Sequence, residues 1–384
     1  VTLEKTVNGK KEDTVAIGDT VSYVVTATTP VYEGYPVVSD AFVDEGLPLY
    51  ELKDTLDTGL TYKEGSMTVT ISGVDNPRAW TEGSTRWDYK FVKTTASGHD
   101  VLTVTLNPLF VLNHQGATVT LNYEAVINEN VSVCADYGNK NKVVLTYSNN
   151  PEVVTDSKTL EDETTVYSFS FGLHKLDGAK DVLLDGAKFS VYAADPATGA
   201  APLTFTYAFD ESGYKVSYDY DPEGTVTEFT TTKDTLLFFL GLNEGTYYLK
   251  ETAAPEGYAL LADPAVVTVT AIKDADGKYT GACRITVSNA TVLTENELGS
   301  KTVVDGAITF SGYGTAAEDN TADTLDVGDY EDVNVIVRNY KGITLPETGS
   351  TEALLVAVLM WIENMAYLIG SDELLVLGGG ALPT

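Results

Sequence analysis

Cysteine is almost absent from this chain. Cys134 and Cys283 are the only two in 384 residues, and they sit in different halves. A disulfide framework is therefore excluded, and both read as buried thiols. Histidine is nearly as scarce. His99, His114 and His174 show no metal-ligand spacing, which argues against a zinc site or a Ser-His-Asp hydrolase. Positive charge is sparse too, with 24 basic residues against 56 acidic ones and a formal charge of -32. Nucleic acid and anionic membrane surfaces both need a basic footprint, so neither is expected as a partner. No glycine-rich loop of the phosphate-cradling kind occurs. Asp274–Gly277 is too short for a calcium loop and reads as a hairpin turn. No cofactor and no metal are expected. The chain opens at Val1 with no charged-then-apolar leader, as a mature form or a fragment would.

What the sequence has is tyrosine, 23 residues of it, together with recurrent Thr and Val, a composition that favours strands. Its length suits two or three domains. Up to about Asn150, short alternating runs are separated by turn signals. These are Thr20–Thr26, Ser66–Ile71, Val101–Leu106, Thr118–Tyr123 and Val143–Tyr147. Many short strands without a helical period predict an all-β chain whose first unit, 1–155, is an antiparallel, immunoglobulin-like β-sandwich. The polar stretch 156–165 reads as a linker or an edge strand. A second sandwich is predicted over 166–341, from Phe169–Asp177, Lys188–Tyr192, Gly245–Ala253, Val266–Thr270 and Val333–Val337. Residues 290–331, rich in Asp, Thr, Gly and Ala, read as an insertion before its last strand.

Both halves repeat one arrangement: a lysine on the first strand, a carboxylate in mid-domain and an asparagine on the last strand. In the first half these are Lys5, Asp54 and Asn141, with Asn139 as the alternative amide. In the second they are Lys175, Glu251 and Asn339, with Asn289 as the alternative. Burial lowers the pKa of a lysine and raises that of a carboxylic acid, so both groups can be neutral near physiological pH. A neutral amine is a nucleophile, and a protonated carboxyl can polarise the asparagine carbonyl. Loss of ammonia would leave a Lys–Asn amide, with Asp54 and Glu251 as proton-shuttling acids that are not consumed. Folding alone supplies the proximity.

The first half, with Leu3–Val7, Asp54–Leu60 and Asn141–Tyr147, resembles the isopeptide-forming domain of Gram-positive fimbrial proteins. The second half, with Lys175–Asp177, Gly186–Phe189 and above all Glu251–Tyr258, is similar to a collagen-adhesin B-type (CnaB) domain. Leu345, Pro346, Glu347, Thr348 and Gly349 match the Leu-Pro-x-Thr-Gly sorting signal of Gram-positive surface proteins at every fixed position. Pro346 biases Leu345 toward the extended backbone that a protease reads. The resemblance is to a sortase-assembled pilin. It implies cleavage between Thr348 and Gly349 and transfer of Thr348 to an amine of a neighbouring pilin or of peptidoglycan. It also implies a cell-wall or fimbrial location outside the cell, and no enzymatic turnover beyond self-directed bond formation. The alternative is a wall-anchored adhesin on the same scaffold, binding a host or matrix ligand through 290–331 or 196–235.

Two features depart from that pattern. The segment after the sorting signal, 342–384 with the signal included, carries an apolar run from Ala353 to Ile362 that Glu363, Asp372 and Glu373 interrupt, and no Lys or Arg follows. A bilayer span needs about 20 apolar residues and usually a basic flank. Nor is there a Tyr-Pro-Lys motif to supply the acceptor lysine of a shaft pilin.

Overall fold

A computed structural model of the chain describes residues 1–34, 48–84, 86–153, 155–208, 214–294, 297–304, 307–311, 323–327 and 333–341. The sorting signal at 345–349 and the rest of the tail lie outside these residues. The protein is all-β, 56% strand and 3% helix, in two sandwiches.

One sheet of the first sandwich runs β1 (Leu3–Val7), β3 (Thr20–Thr28), β9 (Thr118–Ile127), β5 (Leu60–Tyr62), with β6 (Thr68–Ile71) also on β9. The other runs β2 (Glu12–Thr14), β11 (Ser157–Tyr167), β10 (Asn139–Ser148), β4 (Tyr50–Leu56), β8 (His99–Leu106), β7 (Tyr89–Ala96). A single helical turn and a half, α1 (Pro108–Asn113), is capped by the Asn107 side chain. Alternation sets the faces, since successive side chains of a strand point to opposite sides. On β9, Val119, Leu121, Tyr123, Ala125 and Ile127 are buried and the residues between them are not.

In the second sandwich one sheet runs β14 (Phe205–Tyr207), β15 (Lys215–Tyr220), β17 (Leu236–Leu242), β12 (Phe169–Asp177), β25 (Val333–Asn339), β21 (Thr291–Thr294). Facing it are β16 (Phe229–Thr230), β13 (Lys188–Tyr192), β18 (Gly245–Ala253), β19 (Ala265–Lys273), β20 (Tyr279–Ser288) and β24 (Asp323–Val327). First and last strands, β12 and β25, are parallel neighbours. Phe171, Leu173, Val335 and Val337 fill the space between the sheets.

Two expectations need attention. Of the two readings of 156–165, linker or edge strand, the strand is the one found: from Ser157 the chain forms β11, paired with β10 over ten residue positions and with β2 only at Thr165–Tyr167. Its charged side chains made it look like a connection, yet Thr164, Thr165, Val166 and Tyr167 are buried as the strand enters the junction. Only Ser168 separates β11 from β12, so one extended stretch passes from sandwich to sandwich. The described part of 290–331 is not set apart either. β21 and β24 complete the two sheets, and the hairpin β22 (Lys301–Val304) to β23 (Ala307–Phe310) covers the outer face of β12. Leu176, Ile336, Ile308 and Phe310 pack there. Under that cover His174 is buried, its ring nitrogen 2.8 Å from Asn334 Oδ1, and desolvation lowers its pKa to about 3.

The junction is tight. Ile17 N–H donates to Gly241 O (2.9 Å), Val15 N–H to Tyr167 O (2.8 Å) and Tyr279 N–H to Glu12 Oε2 (2.9 Å). Gly281, at φ +80°, presses on this seam: a Cβ there would lie 2.3 Å from Ala135 O.

Candidate functional site

Each of the six residues interrupts an otherwise apolar face. Lys5 lies between Leu3 and Val7, Asp54 between Leu52 and Leu56, and Asn141 two residues before Val143. Lys175 follows Leu173, Glu251 follows Leu249, and Asn339 follows Val337. The strand period therefore drives all six inward, and none is more than 3% exposed. Polar groups buried so deeply must find partners in the interior.

In the second sandwich the register sets Lys175 opposite Val337 and Asp177 opposite Asn339. Lys175 thus needs to lean only two residues along its sheet to meet Asn339. Its Nζ lies 2.5 Å from Asn339 Oδ1. Glu251 comes from the facing sheet, and its Oε1 and Oε2 accept from Asn339 Nδ2 at 2.8 and 3.0 Å. Lys175 Nζ is 3.7 Å from Glu251 Oε1 and 5.9 Å from the Phe189 ring centroid. Desolvation brings the Lys175 pKa down to about 7, against the opposing pull of Glu251. A sizeable fraction of the amine is then neutral at physiological pH, with its nitrogen against an amide carbonyl.

The first sandwich assembles its cluster differently. Asp54 and Asn141 share a sheet on paired strands, and Lys5 reaches over from the other sheet. Lys5 Nζ donates to Asp54 Oδ1 (2.5 Å), to Asp54 Oδ2 and to Tyr123 Oη (3.0 Å). Tyr123 Oη donates to Asp54 Oδ2 (2.7 Å) and accepts from Asn141 Nδ2 (2.7 Å). No hydrogen bond joins Lys5 to Asn141, and Asn141 Oδ1 is buried without a partner. Desolvation lowers the Lys5 pKa to about 8, with Asp54 opposing.

The structure thus brings Lys175, Glu251 and Asn339 into one contact group, and Lys5, Asp54 and Asn141 around Tyr123. It places the two alternative amides elsewhere. Asn139 is committed to Ser132 and Val166, and Asn289 is exposed, donating to Pro264 O. The acid was expected at the asparagine carbonyl. Instead Glu251 faces the amide nitrogen, the atom that would depart as ammonia. Tyr123 escaped the sequence reading because Thr118–Tyr123 looks like any alternating strand. Its only signal is a tyrosine on a core face. Among the described residues, no group of His, Cys, Asp and Glu could hold a metal, and no helix is long and apolar enough to cross a membrane.

Residues 169–282 match the family model of the SpaA prealbumin-like fold domain. The trypsin-resistant surface T6 protein of Streptococcus pyogenes serotype M6 is 23% identical over 288 residues, which is 68% of this chain and 44% of that protein. The chain thus spans less than half of that relative. Among solved structures, the T6 backbone pilin of serotype M6 Streptococcus pyogenes is similar at TM-score 0.53 and 18% identity, over 89% of this chain and 70% of the other. The C-terminal fragment of the major pilin GBS80 of Streptococcus agalactiae reaches TM-score 0.50 at 18% identity, over 69% of this chain and 90% of the fragment. Residues 169–282 therefore match the SpaA prealbumin-like fold domain, in a chain similar to the T6 surface protein of Streptococcus pyogenes and alike in fold to solved pilins of Gram-positive bacteria.

Proposed function

We propose that this chain is a structural subunit of a Gram-positive surface pilus, joined by sortase through Leu345–Gly349 to a neighbouring subunit or to the wall. Each sandwich is locked by a self-formed Lys–Asn isopeptide bond, Lys5 to Asn141 and Lys175 to Asn339. The observation that carries this reading is the contact of Lys175 Nζ with Asn339 Oδ1 while Glu251 holds Asn339 Nδ2. Nucleophile, electrophile and acid are then assembled in one dry site. Lys175 Nζ attacks Asn339 Cγ, a proton passes through Glu251 to Nδ2, and ammonia leaves. A chain with two internal thiols and no disulfide framework gains a covalent brace that needs no oxidant.

Intact mass of the segment Val1–Thr348 tests this. Two bonds remove two ammonia molecules from the sequence mass, and Lys5→Ala and Glu251→Ala each restore one. Asn139→Ala and Asn289→Ala leave the deficit as it is. An unshifted wild-type mass overturns the bonds.

A further inference from the structure

The two clusters differ in one respect that bears on mechanism. Glu251 touches the amide of Asn339 directly. Asp54 has no hydrogen bond to Asn141, and the phenol of Tyr123 stands between them. A tyrosine hydroxyl has one proton to donate and two lone pairs to accept with. Tyr123 uses all three, giving its proton to Asp54 and accepting from Lys5 Nζ and Asn141 Nδ2. Such saturation is not automatic in this core, since the buried Tyr50 hydroxyl has no partner at all. The ring is held in place by stacking on Tyr23, centroids 5.1 Å apart, and by Tyr62 at 6.2 Å.

We propose that Tyr123 is the proton relay of the first sandwich, carrying a proton from Asp54 to Asn141 Nδ2 as Lys5 Nζ bonds to Asn141 Cγ. This rests on the reading of Lys5, Asp54 and Asn141 as a bond-forming set. Lys5, having passed one proton to Asp54, attacks Cγ as the neutral amine. Asp54 then donates to Tyr123 Oη while Tyr123 gives its own proton to Nδ2. The Cγ–Nδ2 bond breaks, ammonia departs, and the new amide nitrogen returns its surplus proton to the carboxylate, from which the ion-pair state is not rebuilt because the amine is gone. Per bond, one proton moves from lysine to the leaving nitrogen, and Tyr123 ends as it began. Burial and the neighbouring Asp54 raise the Tyr123 pKa well above its usual value, so the phenol stays protonated and available.

The test follows bond formation in the full chain after cell-free synthesis, by mass of the linked proteolytic peptides at each site. Wild type, Tyr123→Phe, Tyr50→Phe and a chain with 3-fluorotyrosine at position 123 are compared. The relay predicts that Tyr123→Phe slows the first bond at least ten-fold while the second forms at the wild-type rate and the first sandwich resists limited proteolysis as well as the equally unlinked Lys5→Ala chain, which reports that it has folded. Tyr50→Phe leaves both rates unchanged, and 3-fluorotyrosine restores the first bond. First-bond closure at the wild-type rate in Tyr123→Phe overturns the relay. So does equal slowing of both bonds, or failure of 3-fluorotyrosine to rescue, because each assigns Tyr123 to packing alone. A wild-type chain lacking the first bond is a separate outcome, which removes the bond-forming reading itself.

Discussion

Lys175 and Asn339 stand 164 positions apart in sequence, yet Nζ and Oδ1 are 2.5 Å apart in space. Parallel pairing of the first and last strands of the second sandwich achieves this, with an offset of two residues that keeps both side chains on the inner face.

Closing so large a ring removes much of the denatured chain's freedom. In a loop-entropy description the gain is about 5 kcal/mol. Glu251→Ala and Asn339→Ala should therefore lower the midpoint of the second unfolding unit by roughly 10–20 °C for a unit of this size. Calorimetry of each variant beside wild type checks this. An unchanged midpoint would show that no ring had been closed.

The second-sandwich lysine should betray itself through pH. Reaction there needs the neutral amine, so closure of the second bond should speed up as pH rises through about 7 for Lys175. In the open variant Asn339→Ala the buried Lys175 remains titratable. Its folded pKa of about 7 lies below the 10.5 of the unfolded chain. Between those values the unfolded state binds more protons, so stability rises with pH. It is lowest below pH 7 and levels off above about 10, whereas closed wild type shows no such rise from this site. Denaturant titrations at pH 6, 8 and 10 would show it, and a flat profile in the open variant would contradict it.

At the seam between sandwiches, Gly281 combines a left-handed backbone with direct apposition to Ala135 O. Gly281→Val both strains that backbone and forces the seam apart. Limited proteolysis should then cut near Ser168, which is buried in the intact chain, while both isopeptide masses persist. Resistance equal to wild type would show that the seam tolerates the side chain.

Much of this architecture was legible from alternation alone. Polar–apolar period two marked β3, β8, β9 and β10 because each has one dry face. The same period places Lys5, Asp54 and Asn141 on inner faces, which turns a charged letter in an apolar strand into a signal. β11 was harder to read. Its outer half is paired but solvated, so composition alone cannot tell it from a linker. β21 and β24 were missed for a related reason: they are short strands within Asp-rich and Thr-rich text, recruited by the sheets they extend. Tyr123 became visible only when three strands met, because its role depends on partners from β1, β4 and β10.

The position of β11 has a mechanical consequence. With both proposed bonds in place, a pull applied at the two ends bypasses most of each sandwich and runs through Lys5 to Asn141, then along the backbone to Lys175. All of the hairpin formed by β10 and β11 except Asn139 and Lys140 lies within that stretch, and Asn141 is paired with Thr164 near its open end. Tension there peels the two strands apart one hydrogen-bonded pair at a time, whereas the second sandwich has no such free length. Each residue released adds roughly 3.4 Å of contour. The first sandwich would then carry a short, spring-like reserve and the second would behave as a rigid link, so a fibre of such subunits would yield at regular intervals before any covalent bond was loaded to breaking.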